Sequence, residues 1–216
     1  MTEKAILLNI ALAAVVVLFF LTEKHLFRRE DSMAGRTSDE RGTPAYIIDY
    51  ARQVMGSIDL DPASTAEANE VVQAKHYYTI ENSGLDPDNQ WFGNVWLNPP
   101  FSQPLCEQFI DRLIDEWEKD NVNQAIVLVN VSTGRWFHKL LERFPVVYPK
   151  HCDYHSNARI EFYPLKGNPR GTDNNSRGQA IFYLPNGNPA FEFGRSCKRF
   201  YCAFEGICTI PWGENV

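Results

Sequence analysis

The chain has 216 residues, of which 44% are hydrophobic and 13% aromatic. That is enough apolar material for one domain with a sizeable core, and it excludes a low-complexity or disordered chain. The formal net charge of −6 excludes a uniformly basic nucleic-acid binder, so any such role must rest on an uneven distribution of charge.

Residues 5–21 form an apolar run broken by Asn9 alone, about 17 residues, the lower limit for a helix that spans a bilayer. Lys24, His25, Arg28 and Arg29 follow it and only Lys4 precedes it, a bias that places the rest of the chain on the cytoplasmic side. No small-x-small cleavage pattern follows Leu21. We therefore expect residues 1–32 to be an apolar N-terminal extension whose helix is a candidate membrane anchor, tethering a cytoplasmic protein to the inner face of the membrane. The competing reading starts the natural product at Met33. Residues 33–42 read as a polar linker and 43–216 as one domain.

Beyond the linker, helical and strand-like patterns alternate, as an α/β sheet requires. The apolar spacing predicts a helix over 44–55, a short strand at 58–60, a helix over 63–75 and a strand over 77–80. A strand over 92–97 follows, then a helix to 118 carrying Leu105, Phe109, Leu113, Ile114 and Trp117 at spacings of three and four. A buried strand is expected over 125–130, a helix with Trp136, Leu140, Leu141 and Phe144, and strands over 159–163 and 179–184. The polar stretch 164–178 between the last two is either a nucleic-acid-contacting loop or a mobile connection.

Charge is uneven along this order. Between residues 133 and 200 there are eleven basic residues against five acids, a local excess of six, which leaves −12 for the remainder. A basic half facing phosphates is the expected footprint of DNA binding, and a mixed solvated surface is the alternative. Cys106, Cys152, Cys197, Cys202 and Cys208 are odd in number and contain no Cys-x-x-Cys pair; in a tail read as strand-rich, the last three are reduced thiols rather than metal ligands. No metal site is expected, since His138, His151 and His155 are likewise scattered.

The most specific string is Asn98-Pro99-Pro100-Phe101, directly after the apolar run Val95-Trp96-Leu97. The lone pair of a conjugated exocyclic amine is delocalised, so the nitrogen becomes nucleophilic only when acceptors draw its hydrogens out of the plane. An Asn side-chain oxygen is one such acceptor. The carbonyl of the next Pro is another, because a Pro-Pro pair can continue neither strand nor helix. The ring at the fourth position can stack on a base that has left the duplex, an interaction worth roughly 1–3 kcal/mol. A rigid loop between strand end and helix is where open α/β sheets place ligands. The string thus points to methylation of an amino nitrogen in a planar system.

From Thr43 to about Trp136 the chain resembles the phage and prophage DNA adenine-N6 methyltransferases, the Dam-like enzymes. The matching stretches are Thr43-Pro44, Ile58-Asp59-Leu60-Asp61-Pro62-Ala63-Ser64, Tyr77-Tyr78-Thr79-Ile80, Trp91, Trp96-Leu97-Asn98-Pro99-Pro100-Phe101-Ser102, and Thr133 with Trp136-Phe137. The resemblance implies a Rossmann-like methyltransferase sheet with flanking helices, S-adenosylmethionine as methyl donor and double-stranded DNA as substrate. It implies Asn98, Pro99, Pro100 and Phe101 as the catalytic string. Thr43, Pro44, Asp59, Asp61 and Pro62 fall beside the donor. Phe101 stands where the family more commonly has Tyr, which keeps stacking but removes a phenolic hydrogen bond.

No Phe-x-Gly-x-Gly string is present. Residues 59–64 then read either as a degenerate first glycine loop or as the end of a second strand whose acid binds ribose hydroxyls. They could also simply cap the helix expected near Ala63. Thr43-Pro44 has a comparable double reading, as an ordinary helix start or as the flank of the donor's methionine portion. Two rival functions remain open: methylation of another planar nitrogen, in RNA guanine or protein glutamine, and a membrane-tethered binding protein that has lost catalysis.

Overall fold

The computed structural model describes residues 41–150, 158–165, 177–186 and 190–209. The apolar run at 5–21, the linker at 33–42 up to residue 40, and most of the polar stretch 164–178 lie outside the described residues. Among the described residues no helix is long and apolar enough to cross a membrane.

In chain order the elements are β1 (Arg41–Gly42), α1 (Ala45–Met55), β2 (Leu60–Asp61), α2 (Ala66–Val72), β3 (His76–Tyr77), β4 (Gly93–Leu97) and α3 (Leu105–Glu118). They continue with β5 (Val122–Asn130), α4 (Arg135–Leu141), β6 (Val146–Pro149), β7 (Tyr163–Pro164), β8 (Gln179–Leu184), α5 (Ala190–Phe204) and β9 (Cys208–Thr209). Seven strands form one mixed sheet in the order β3-β2-β4-β5-β8-β6-β9. Neighbours from β3 through β5 are parallel, whereas β8 runs antiparallel to both β5 and β6.

The central strands are apolar on both faces because helices cover both, so they read as continuous apolar runs. Val95, Leu97, Ala125, Val127, Val129, Phe182 and Leu184 face a core shared with Phe109, Ile110 and Leu113 of α3 and Trp136, Phe137 and Leu140 of α4. Trp96, Ile126, Leu128, Ile181 and Tyr183 face the other core, with Ile47, Ile48, Ala51 and Val54 of α1 and Phe200 and Phe204 of α5. The alternation is the two-residue period of a strand. Each fully buried large side chain here stabilises the fold by roughly 1.5–3 kcal/mol.

Several expectations need correction. The helix expected over 63–75 begins at Ala66, where Thr65 caps it by accepting a 3.0 Å hydrogen bond from the Ala68 N–H. Residues 159–163 do not join the sheet; only Tyr163–Pro164 is extended, and it pairs with Arg41–Gly42 in a separate two-stranded ladder. The tail around Cys197 and Cys202 is helical, not strand-rich, since Cys197, Phe200, Tyr201 and Phe204 recur at helical spacing and are buried together. Strand β6 was not anticipated, because four residues leave too short a pattern to read.

Candidate active site at the carboxyl edge of the sheet

Strand order decides where a ligand can sit. From β2 the chain moves to β3 on one side and then crosses to β4 on the other, so its direction of winding reverses between β2 and β4. A crevice opens at the carboxyl ends of strands at such a switch point. Asp61 ends β2, and Asn98 directly follows Leu97, the last residue of β4.

The loop after β2 is held by the neighbouring strand. Tyr78 N–H donates to the Asp61 carbonyl and Ser64 N–H donates to the Tyr78 carbonyl, both at 2.9 Å. Gly84 packs on Pro62 so closely that an added Cβ would collide with the Pro62 carbonyl. Asp61 is 3% exposed. Its Oδ1 accepts from Ala63 N–H at 3.2 Å, a local turn and not a helix cap. Burial pushes its carboxyl up to about 7, against the opposing hydrogen bonds from Ser64 and Ala63.

Thr43 and Pro44 reach the same edge. The cap position of α1 is taken by Pro44, which makes no side-chain cap bond, so Thr43 lies one residue outside that position. The buried Thr43 Oγ1 accepts a hydrogen bond from Asn98 Nδ2 at 3.2 Å. Pro99 is buried, and Pro100 and Phe101 are half-buried. The Phe101 ring meets Phe162 edge-on, with centroids 6.2 Å apart.

Asp59 is not brought to this edge. It binds Lys75 Nζ at 2.7 Å and accepts from Asn94 N–H at 2.9 Å, beside the start of β4, roughly 13 Å of strand from Asn98. Burial alone would raise its carboxyl, but Lys75, the Asn94 N–H and Ser57 together bring it below the ordinary value. A polar network continues there, with Gln124 donating to Asn94 Oδ1 and accepting from Tyr183 Oη. At this amino edge the side chains satisfy one another.

The carboxyl edge is different. Among the described residues, three buried side-chain polar atoms have no hydrogen-bond partner: Asn98 Oδ1, Arg41 Nε and Tyr163 Oη. Of these, the Asn98 side chain touches Thr43 directly, and the other two belong to the β1–β7 ladder that precedes Thr43. Arg41 precedes it by two residues, and Tyr163 pairs with the adjacent Gly42. An added Cβ on Gly42 would strike the Tyr163 ring. Burial, with Glu67 and Glu70 nearby, pushes the Tyr163 phenol up. A buried unpartnered polar atom costs about 1–3 kcal/mol, so the bare Asn98 Oδ1 at the end of β4 is an acceptor that a ligand's donor would satisfy.

One anchor near this edge is not legible in the sequence. Gln179 is 1% exposed; its amide donates to Asn130 Oδ1 and accepts from Ile160 N–H, both at 3.0 Å. That anchors the segment carrying Phe162 and Tyr163. A polar residue opening an apolar strand was the available signal. Part of the expected basic half pairs within the protein. Arg135, Lys139 and Arg143 pair with Glu107, Asp111 and Glu118 of α3, and Arg199 donates to the Val54 carbonyl. Lys166 and Arg170 lie outside the described residues, as does Cys152. Among the described residues no group of three or more His, Cys, Asp or Glu side chains could hold a metal ion.

A family model described as DNA N-6-adenine-methyltransferase (Dam) matches residues 32–200. The chain belongs to this family. The match takes in both the Asp61 loop and the Asn98 string, and Dam-family membership implies a methyl donor. A relative from Escherichia phage T1, named DNA N-6-adenine-methyltransferase, is 28% identical over 155 residues, covering 66% of this chain. The chain spans 60% of the length of that relative. No solved structure matches.

Proposed function

We propose that the protein transfers a methyl group from S-adenosylmethionine to N6 of adenine in double-stranded DNA. Family membership supports the reaction class, and one observation carries the reading in this chain: Asn98 Oδ1, buried and without a partner, at the switch point of the sheet. An acceptor held ready at such a position suits a ligand that brings N–H donors. The parallel run from β3 to β5 with its switch point supports a Rossmann-like methyltransferase fold, with 43–216 as the catalytic domain.

The residues present fit the donor. The buried Asp61 carboxylate would accept from hydroxyl or amino groups of a nucleoside, the role an acid takes at this position in dinucleotide folds. Pro62 and Pro44 would line the same crevice. When bound, S-adenosylmethionine supplies an electrophilic methyl group on a sulfonium.

The chain's own residues prepare the nucleophile. Asn98 Oδ1 and the Pro99 carbonyl accept the two amine hydrogens and pull the nitrogen toward a tetrahedral arrangement, while Pro100 stiffens the loop. Phe101 stacks on the extruded base. Because Asn98 Oδ1 is out of contact with water, the side chains that cover it must part to admit a base, and the site then reacts in a dry environment.

The test is transfer of radiolabelled methyl from S-adenosylmethionine to unmethylated plasmid DNA, with Asn98→Ala alongside. Label is expected as N6-methyladenine, falling at least about 100-fold in the variant, while donor binding persists. Full turnover by Asn98→Ala would overturn the mechanism. Label absent from DNA but present in RNA or protein would favour the other planar-nitrogen substrates.

A further inference from the structure

Thr43 stands beside the donor in the family resemblance, yet its hydroxyl is engaged elsewhere. It lies one residue outside the cap position of α1, which Pro44 occupies. The side chain is 4% exposed, and its oxygen accepts from Asn98 Nδ2 at 3.2 Å. Among the described residues the Asn98 side chain is held through this bond at its nitrogen end, while its Oδ1 is unpartnered.

We infer that Thr43 is a positioning residue for the target amine: it holds the plane of the Asn98 amide so that Oδ1 faces the crevice. This rests on the proposed reading of Asn98. A primary amide turns about its last side-chain bond, and that torsion is broad in the absence of a partner. Rotation would carry Oδ1 off the line of the amine hydrogens or present a donor to a donor. Anchoring the nitrogen end removes that freedom before substrate arrives, so the amide itself need not turn once the base has entered. The bond also draws electron density toward Oδ1 and strengthens it as an acceptor. Thr43 is itself fixed on both sides. The β1–β7 ladder holds the preceding Gly42 against Tyr163, and α1 begins two residues later, with Ile47 and Ile48 in the core.

The test uses the full chain with S-adenosylmethionine and unmethylated plasmid DNA. Thr43→Val keeps the shape and removes the acceptor; Thr43→Ser keeps the acceptor and removes a methyl group. The single-turnover methylation rate at saturating donor and DNA is measured beside the donor dissociation constant. Valine should lower the rate about tenfold, the consequence of losing one hydrogen bond, and leave the donor constant within about twofold; serine should restore most of the rate. In an Asn98→Ala background, Thr43→Val should add nothing, since residues acting through one another are non-additive.

A tenfold weaker donor constant with an unchanged saturated rate would make Thr43 a donor ligand and overturn the inference, as would a valine variant at full rate. If valine prevents folding, Thr43→Ala is read in the same way against serine. Full activity of Asn98→Ala would instead overturn the underlying reading, so the two failures are distinguishable.

Discussion

Replacing Asp61 by asparagine probes the electrostatics of the carboxyl edge. The side chain is 3% exposed, and burial raises its carboxyl from 3.8 to about 7. In the unfolded chain an aspartate titrates near about 3.9. Between roughly pH 4 and pH 7 the folded protein therefore holds a proton that the unfolded chain has released. Stability is highest below the unfolded value and declines as pH rises through the folded one. About three units of displacement correspond to about 4 kcal/mol.

Asparagine keeps the shape and cannot ionise, so in the absence of donor Asp61→Asn should be up to about 4 kcal/mol more stable than the unmutated protein at pH 8. At pH 4 the two should agree within about 1 kcal/mol. Urea unfolding followed by tryptophan fluorescence at several pH values measures this. The same titration governs donor binding if the carboxylate is the form that accepts hydrogen bonds. With a midpoint at about 7, about nine-tenths of the molecules are ionised at pH 8 and about a tenth at pH 6, so the donor dissociation constant should weaken about tenfold across that interval. The asparagine variant should show no such slope. A stability difference that stays constant from pH 4 to pH 8 would refute the reasoning.

Asn98→Ala should unfold within about 1 kcal/mol of the unmutated protein, because the lost bond to Thr43 is offset by removal of the buried unpartnered Oδ1; chemical denaturation checks this, and a loss above about 3 kcal/mol would mean the amide is structural. Gly84→Ala forces a Cβ into the Pro62 backbone, so it should destabilise by about 1–3 kcal/mol and weaken donor binding through the Asp61 loop, measured by melting and calorimetry. Lys139→Ala and Arg143→Ala should leave the salt dependence of DNA binding nearly unchanged, because Asp111 and Glu118 already neutralise both cations. A slope reduced by about one per substitution would show that they contact phosphates.

Local chemistry in the sequence determined the strand–loop–helix at residues 93–118. The apolar run, the Pro-Pro stop and the four-residue spacing of Phe109, Leu113 and Trp117 each act over a few residues, so no distant partner is needed to read them. The same holds for α1 and for the central strands, whose apolar residues are unbroken because both faces are covered. Aspartates 59 and 61 could not be separated this way, being two residues apart in one string. Only the pairing of β2 with β4 sends Asp59 to Lys75 and Asn94 and leaves Asp61 at the switch point.

Thr43 read equally well as a cap, and the long-range bond to Asn98, 55 residues away, is what gives its hydroxyl another use. The basic excess is a property of the chain order, yet packing of the segment 135–143 on α3 turns three of its cations toward acids. Composition and short-range pattern fix what a segment can be. Which polar groups find partners, and which are left waiting for a ligand, depends on contacts between segments far apart in sequence, and the tertiary structure alone decides it.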